Sequence, residues 1–382
     1  MDDYYLDFNA TTPPDERVVD KMLPFLSGRF GNAASSHSRG RAAAGAVQAA
    51  RGQVAGLLGV APSRVVWTSG ATEALNATLK GLAERREPGR SRLLVSATEH
   101  KAVLDVAEWL SVRRGVEVAT IPVTSEGVVD VGALAGLLGE RVFAVAVMAA
   151  NNETGVLNPV DEVADLVVAA GARLVCDTTQ SVGKVPVQAP EGTFVTASAH
   201  KLYGPQGVGA LVLPERGSGL LDALLHGGGH ERGLRSGTLN LPGVVGFGEA
   251  CLLASELMAG EQLRLARLRD ELEDLLVKRL GAVVHGGDVD RLPNTTNVWV
   301  PGVDADALIA NTPQVSFSSG SACTAAVPMP SHVLTAMGVG SEVAEESVRL
   351  SVGRHTSHGD INGSVAMLAK SASRIRELNG AA

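Results

Sequence analysis

A lysine and an aspartate that each follow an apolar run are the first residues of this sequence that could do chemistry. Lys201 lies in "SAHKLYGPQGVGAL" (198–211), after a predicted strand and before a Gly/Pro turn. Ligands of open α/β sheets bind beyond the carboxyl ends of the strands, where a lysine can form a Schiff base with an aldehyde cofactor. Asp177 closes the apolar run in "LVCDTTQS". A buried carboxylate there needs a partner, and a protonated pyridine nitrogen would be one.

Both residues also have an ordinary structural explanation. A single lysine after a strand is most often an exposed surface residue. An aspartate after a strand is often the N-cap of the next helix. The two positions therefore predict a cofactor site only if further polar residues fall at the ends of other strands.

Further polar residues do follow other apolar runs. In "TSGATEALN" (68–76) a strand leads through a glycine turn into a helix, whose first amides and the Thr72 hydroxyl could hold a phosphate. His100 in "ATEHKAVLD" (97–105) could stack on a flat cofactor or serve as an ordinary cap. Another such segment is "NNETG" (151–155). Polar residues thus follow at least four predicted strands, which favours a common site.

Two arginines near the C-terminus could bind an amino-acid substrate. "VRLSVGRHT" (348–356) contains Arg349 and Arg354. A guanidinium binds a carboxylate through two parallel hydrogen bonds, and an ordinary salt bridge is the alternative for each arginine.

The third cysteine lies in an unusual context for a packing residue. Cys323 occurs in "SSGSACT" (318–324), among small and polar residues, although a buried thiol usually has apolar neighbours. It could be a nucleophile or an incidental thiol. Cys176, Cys251 and Cys323 are too few and too scattered for a disulfide framework, and they lack the paired spacing of a zinc site.

Composition restricts the class of protein. The 382 residues exceed what one core usually organises, so two lobes are expected. A formal net charge of −8 argues against nucleic acid or an acidic membrane as the main partner. The N-terminus lacks the pattern of a signal peptide, and no run approaches the roughly 20 apolar residues of a membrane span. We expect a cytoplasmic protein.

The alternation of apolar runs and helical patterns predicts an α/β fold. The predicted strands are 64–69, 92–97, 116–121, 142–148, 172–178, 193–199 and 208–213, and the helices between the earlier ones are 72–86, 100–114, 131–140 and 160–171. A long helical segment then leads to strands near 295–300 and 347–352, a helix near 304–311 and a C-terminal helix. We predict a large α/β domain at 13–250, and a small α+β domain formed by 1–12 and 251–382.

These segments together resemble a known family, the cysteine desulfurases of the class V aminotransferase superfamily. The matching blocks run from end to end: "YLDFNATTPPDERV" (5–18), "FGNAASSH" (30–37), "TSGATE" (68–73), "TEHKAVLD" (98–105), "NNETG" (151–155), "DTTQSVGK" (177–184), "SAHKLYGPQGVGAL" (198–211), "HGGGHERGLRSGT" (226–238) and "SSGSACT" (318–324). The resemblance implies fold type I of the pyridoxal 5'-phosphate (PLP) enzymes, with a mostly parallel seven-stranded sheet in the large domain. The spacing after Cys323 resembles the long-loop group, which serves iron–sulfur cluster assembly, tRNA thiolation and related pathways.

The resemblance also implies a role for each site residue. Lys201 would form the Schiff base with PLP, Asp177 would pair with the ring nitrogen, and Gln180 would bond the ring hydroxyl. His100 would stack on the ring and take the proton of the thiol. Cys323 would attack the substrate sulfur and carry it as a persulfide. The other implied contacts are Ala71, Thr72, Ser198 and His200 with the phosphate, Thr238 with the phosphate of the other subunit, and Asn151 and Arg349 with the substrate carboxylate.

Several readings stay open at this stage. An aminotransferase would not need Cys323. A selenocysteine lyase is harder to exclude, because its active site uses the same arrangement of groups. A non-catalytic scaffold should have lost Lys201 or Cys323, and neither is missing. The resemblance implies a homodimer that acts on L-cysteine and passes sulfur to a protein acceptor, which could be an iron–sulfur scaffold, a tRNA-thiolation protein, a DNA-phosphorothioation protein or a biosynthetic protein. The chain departs from the family pattern at Ala33, Thr154 and Thr178.

Overall fold

The computed structural model describes residues 4–187, 189–215, 217–320 and 330–380. The N-terminal part contains a short strand and two helices. They are β1 (Tyr4–Tyr5), α1 (Glu16–Leu26) and α2 (Ser38–Leu57). Sequence analysis did not predict α2, whose inward residues are mostly small. They fit a close approach to a glycine-rich helix described below.

A seven-stranded sheet forms the centre of the larger part of the chain. Its strands and the helices between them are β2 (Val65–Thr68), α3 (Ala71–Arg85), β3 (Arg92–Ser96), α4 (Lys101–Arg114), β4 (Glu117–Ile121), α5 (Val131–Leu137), β5 (Val142–Ala146), α6 (Val160–Ala169), β6 (Arg173–Asp177), β7 (Thr193–Ser198) and β8 (Gly209–Val212). The strand order is β2-β8-β7-β6-β5-β3-β4. This confirms the predicted α/β class and the seven strands.

One strand of the sheet runs against the others. β8 pairs antiparallel with both β2 and β7, whereas the remaining pairs are parallel. A parallel crossover takes about a dozen residues or more, so the short connection 199–208 can only return the chain antiparallel. This short connection is the one that carries Lys201.

The rest of the chain forms a smaller α+β arrangement. Its elements are α7 (Leu241–Leu280), β9 (Val283–Val284), β10 (Thr295–Trp299), α8 (Ala305–Asn311), β11 (Val315–Ser316), β12 (Ser318–Ser319), α9 (His332–Ala336), α10 (Ser341–Glu345), β13 (Ser347–Ser351) and α11 (His358–Leu378). Strands β12, β13, β10 and β9 form an antiparallel sheet in that order, and β1 pairs with β11.

The long helix α7 packs into both parts of the molecule. Its first half packs with α2 and the large sheet, and its second half, from Leu265, packs into the core of the small sheet. At Gly248 an added Cβ would lie 2.6 Å from the Cα of Ala50, so the two helices are in very close contact. The predicted boundary at residue 250 lies inside this continuous helix, and the division into domains stays a prediction.

By length and composition α7 is also the one helix in the described residues that could cross a membrane. Its apolar window has a mean hydropathy of 1.3, although sequence analysis found no such run. However, 61% of that window is buried inside the protein, as in the core helix of a globular fold.

Candidate active site

A cavity of about 610 Å³ opens at the carboxyl ends of the central strands. Segments that are far apart in sequence form its wall, including the N-terminal segment, the start of α3 and β13 of the small sheet. The predicted site residues that line it are Ala71, Thr72, His100, Asp177, Gln180, Ser198, His200, Lys201 and Arg349. The structure therefore brings most of the predicted site together.

Lys201 reaches the cavity from a short 3₁₀ turn, Ala199–Lys201, that directly follows β7. Its Nζ donates to the main-chain carbonyls of Asn9 and, at 2.7 Å, of Ala10. The Nε2 of Gln180 donates to the same Asn9 carbonyl at 3.0 Å. The N-terminal segment thus orients the amine and the amide together.

Asp177 ends β6 and is 7% exposed. Its Oδ1 accepts hydrogen bonds from the amide of Thr179 at 2.9 Å, from the Thr179 hydroxyl, and from Thr196 Oγ1 at 3.2 Å. Its Oδ2 accepts no hydrogen bond within the part of the chain that the structure describes. A buried carboxylate with one open oxygen on the cavity wall fits the protonated nitrogen of a pyridine ring.

The start of α3 forms part of the cavity wall. The N-cap residue of this helix is Gly70, and among the described residues no side chain caps it, so its first amides have no capping acceptor there. A Cβ on Gly209 of β8 would lie 2.6 Å from the Cα of Gly70, so only glycine allows the turn to lie this close to the sheet. Open amides beside the hydroxyls of Thr72 and Ser198 fit a phosphate group.

Burial keeps the imidazole of His200 neutral beside this part of the cavity wall. Desolvation, followed by the charges of Lys201 and Lys184, lowers the pKa of His200 to about 4. The Nδ1 of His200 lies 3.1 Å from Thr11 Oγ1, which fixes the ring on the N-terminal segment.

His100 is the N-cap of α4, and its Nδ1 accepts a hydrogen bond from the amide of Ala102 at 3.1 Å. The neutral ring consequently carries its proton on Nε2. Desolvation lowers the pKa of His100, and Asp177 opposes this shift. In this state the ring can donate at Nε2, and it can accept a proton only if the bond to Ala102 breaks.

Arg349 of β13 lines the same cavity. Its Nη1 donates to the carbonyl of Asn152 at 3.0 Å, and its Nη2 donates to Asp7 Oδ1 at 2.6 Å and Ser318 Oγ at 3.1 Å. Its Nε is buried and has no hydrogen-bond partner among the described residues. A guanidinium among the lining residues fits a substrate carboxylate. Arg354, the alternative, instead pairs with carboxylates outside the cavity.

Three predicted residues do not line this cavity. Asn151 is 1% exposed, and its Oδ1 accepts hydrogen bonds from the amides of Glu153 and Thr154. Its neighbour Asn152 lines the wall instead. Thr238 is exposed and lies outside the cavity of its own chain. Cys323 lies outside the described residues. The predicted roles of all three stay predictions.

Two of the departures from the family pattern point away from the cavity. The Thr178 hydroxyl donates to the carbonyl of Thr196 at 2.8 Å, and the Thr154 hydroxyl donates to Asn151 Oδ1 at 3.3 Å. Both hydroxyls therefore have partners inside the protein, and neither residue lines the cavity.

Sequence analysis did not single out several polar residues around the cavity. Asp7 and Asn9 line its wall, and Glu99 is buried behind it. Burial, with a further contribution from Asp177, raises the pKa of Glu99 to about 8. Burial lowers the pKa of Lys184 to about 7. The Nζ of Lys184 donates a hydrogen bond to Gln180 Oε1 at 2.9 Å. The alternation of Asp7 and Asn9 with the buried Leu6 and Phe8 could have indicated two side chains facing one site.

Comparison with known proteins agrees with this arrangement. Residues 4–363 match the family model for aminotransferase class-V. A cysteine desulfurase from Frankia sp. (strain EuIK1) is 46% identical, with 98% of this chain and 92% of the relative covered. A cysteine desulfurase IscS from Anaeromyxobacter sp. (strain Fw109-5) is 43% identical, with coverage of 98% and 94%.

A solved structure of a NifS-like protein superposes with a TM-score of 0.90 at 34% identity and covers 97% of this chain and 100% of its own. Fold, family model and full-length relatives thus agree. The chain belongs to the class V aminotransferase family, within its cysteine desulfurase branch.

Proposed function

We propose that this protein is a PLP-dependent cysteine desulfurase that converts L-cysteine to L-alanine and carries the sulfur as a persulfide on Cys323. One observation carries the proposal. A single cavity combines a lysine amine, a buried carboxylate with an open oxygen, an uncapped helix start and a buried arginine. These are the groups that PLP and an amino-acid substrate require.

The residues present fit the cofactor. Lys201 would attach it, Asp177 Oδ2 would hold its ring nitrogen, Gln180 would bond its ring hydroxyl, and the amides of Ala71 and Thr72 would hold its phosphate. When bound, PLP withdraws electrons from the α-carbon of an amino acid. His200 is neutral and adds no charge to the phosphate end.

The protein's own side chains then orient the substrate. Arg349 lines the cavity, and we propose that its guanidinium binds the substrate carboxylate. His100 lines the same cavity, and its bond to the amide of Ala102 keeps the proton of the neutral ring on Nε2. We propose that His100 donates this proton and becomes an acceptor after giving it up.

Sulfur transfer requires a thiolate, and Cys323 is the candidate nucleophile. Cys176 and Cys251 are buried, and burial raises the pKa of both thiols, so neither suits this role. An S–S bond forms on Cys323 as the C–S bond of the substrate breaks. The carbon skeleton leaves as alanine, so the reaction needs no external oxidant.

We further propose that the enzyme is a cytoplasmic homodimer that transfers sulfur to a protein acceptor. An iron–sulfur scaffold is the acceptor class to test first. Thr238 would contact the cofactor of the partner subunit, consistent with its exposure and its place outside its own cavity.

The test is production of alanine and sulfide from L-cysteine with a reductant, with wild type beside Cys323→Ser and Lys201→Ala. We expect an active, yellow wild type, a yellow but inactive Cys323→Ser and a colourless Lys201→Ala. Wild-type turnover by the Cys323→Ser protein would refute the carrier role. L-selenocysteine as a parallel substrate separates a selenocysteine lyase from a desulfurase.

A further inference from the structure

Lys184 is the last residue of the segment "DTTQSVGK" (177–184), and the cofactor and substrate contacts proposed above do not use it. It does not line the large cavity. Its Nζ instead donates to Gln180 Oε1 at 2.9 Å and to Asn9 Oδ1 at 3.4 Å. Both acceptors belong to residues that line the cavity, so Lys184 contacts the cavity wall without being part of it.

The backbone between Gln180 and Lys184 places their side chains next to each other. After β6 the chain forms helix-like turns, in which the amide of Val182 donates to the carbonyl of Thr178 at 2.9 Å. The amide of Lys184 likewise donates to the carbonyl of Ser181 at 3.0 Å. Residues four positions apart lie on the same side of such turns, which brings the ammonium group of Lys184 to the amide of Gln180.

The hydrogen bonds around Gln180 determine the orientation of its amide. An ammonium group can only donate, and a main-chain carbonyl can only accept. The amide oxygen therefore faces Lys184, and Nε2 faces the carbonyl of Asn9, to which it donates at 3.0 Å. The same carbonyl accepts Lys201 Nζ, so one main-chain atom holds both Gln180 and the lysine that would attach PLP.

We propose that Lys184 is a positioning residue for the cofactor, which holds Gln180 Oε1 and thereby leaves Nε2 as the donor to the ring hydroxyl oxygen of PLP. The proposal rests on the proposed function, in which Gln180 bonds that hydroxyl. The two ends of a glutamine amide have nearly the same shape, so the partners around it set its orientation. Without Lys184, only the carbonyl of Asn9 would orient this amide.

The surroundings of Lys184 agree with a dedicated role. The residue is half-buried and forms no salt bridge within the described part of the chain. Desolvation, followed by the charges of Lys201 and Arg349, lowers the pKa of Lys184 to about 7. A desolvated cation beside two other cations, bonded only to amide oxygens, destabilises a fold. Stability alone therefore does not account for a lysine at this position.

The test compares cofactor binding at pH 6, where the charged form of Lys184 predominates. Wild type, Lys184→Met, Lys184→Gln, Gln180→Ala and the double variant Lys184→Met/Gln180→Ala are stripped of cofactor and titrated with PLP. The readouts are the dissociation constant and the absorbance maximum of the bound cofactor, and neither depends on turnover. Lys80→Met is the matched control, because Lys80 is also half-buried but lies over the Trp109 ring and does not line the cavity.

We expect Lys184→Met to weaken PLP binding by roughly tenfold and to shift the absorbance maximum in the same direction as Gln180→Ala. The double variant should bind PLP no more weakly than Gln180→Ala, because Lys184 acts through Gln180. Lys184→Gln can still donate to Gln180 Oε1, so it should recover part of the affinity. The urea midpoint of cofactor-free Lys184→Met should stay near that of wild type, since the loss of a desolvated cation offsets the lost hydrogen bond.

PLP binding within about twofold of wild type in Lys184→Met, with an unchanged absorbance maximum, would overturn the proposal. Effects of Lys184→Met and Gln180→Ala that add in the double variant would also overturn it, as would an equal loss in Lys80→Met. If Lys184→Met does not fold, Lys184→Gln takes its place in the same comparison with Gln180→Ala. A wild type that binds no PLP contradicts the proposed function itself, so the two failures are distinguishable.

Discussion

Two buried arginines use the same chemistry in different ways. Arg51 and Glu231 are joined by two parallel bonds of 2.8 and 2.9 Å, and their side chains are 6% and 4% exposed. Arg349 and Asp7 share one bond of 2.6 Å at the cavity wall, and Arg349 Nε has no partner in the described part of the chain. The first guanidinium is held by two bonds to one carboxylate, whereas the second retains a buried donor without a partner among the described residues and, under the proposed function, binds the substrate.

The remote pair also holds the surrounding backbone. Glu231 Oε2 accepts the amide of Trp67 in the edge strand β2, and the Arg51 guanidinium lies over the Trp67 ring. Glu231 and Arg232 both have positive φ, at 48° and 60°, a conformation that non-glycine residues adopt only when surrounding contacts impose it. The pair therefore fixes the segment that leads to Thr238.

The largest effect on stability is expected from Arg51→Met. It leaves the Glu231 carboxylate buried without its cation, which should lower the free energy of unfolding by about 3–5 kcal/mol in urea titrations. Adding Glu231→Gln should restore part of the loss because no charge then remains buried. A loss below about 1 kcal/mol would mean that this pair resembles an ordinary surface salt bridge.

The corresponding change at the cavity should affect catalysis instead. Arg349→Lys keeps a positive charge but loses the planar guanidinium, so kcat/KM for L-cysteine should fall by at least about a hundredfold. The unfolding free energy should change less than in Arg51→Met. Steady-state assays beside urea titrations measure both, and the comparison fails if Arg349→Lys loses stability but keeps its activity.

An unpaired carboxyl oxygen next to the cavity predicts a dependence of stability on pH. Glu99 Oε2 is buried without a partner among the described residues, and burial raises the pKa of Glu99 from 4.5 to about 8. Between these values the folded protein holds a proton that the unfolded chain has lost, so stability falls as pH rises. Glu99→Gln removes this titration, so its stability relative to wild type should increase by roughly 3 kcal/mol from pH 5 to pH 8. A difference in unfolding free energy between Glu99→Gln and wild type that stays constant from pH 5 to pH 8 would mean that the Glu99 carboxyl is in contact with water.

Sequence patterns predicted most of the fold because buried strands leave a strong signal. The seven strands of the large sheet were located within one or two residues, since each is a nearly continuous apolar run bounded by polar residues. Helix α2 was missed because it is rich in alanine and glycine and has little contrast between its faces. Its close contact with α7 at Gly248 depends on those small residues.

The site was predictable where residues follow strands or share a motif. Lys201 and Asp177 fall at strand ends, and both line the cavity. Long-range hydrogen bonds hold the side chains of Asp7, Asn9 and Glu153, as in the bond from Arg349 to Asp7. The spacing of nearby residues in the sequence does not predict such contacts. The tautomer of His100 likewise depends on its cap geometry, which the residue type alone does not reveal.

The smallest expected effect tests whether Asp7 competes with the substrate for Arg349. Asp7→Asn keeps an oxygen that can accept from Nη2 but removes the negative charge beside the guanidinium. A substrate carboxylate should then bind more tightly, which lowers KM for L-cysteine by about threefold with little change in kcat. Ser318→Ala is the matched control, because it removes a neutral partner of the same Nη2 at 3.1 Å without changing the charge. If both variants raise KM equally, Asp7 orients Arg349 rather than competing with the substrate for it. The bond between Asp7 and Arg349 would then fix the position of the guanidinium and not tune its affinity for a carboxylate.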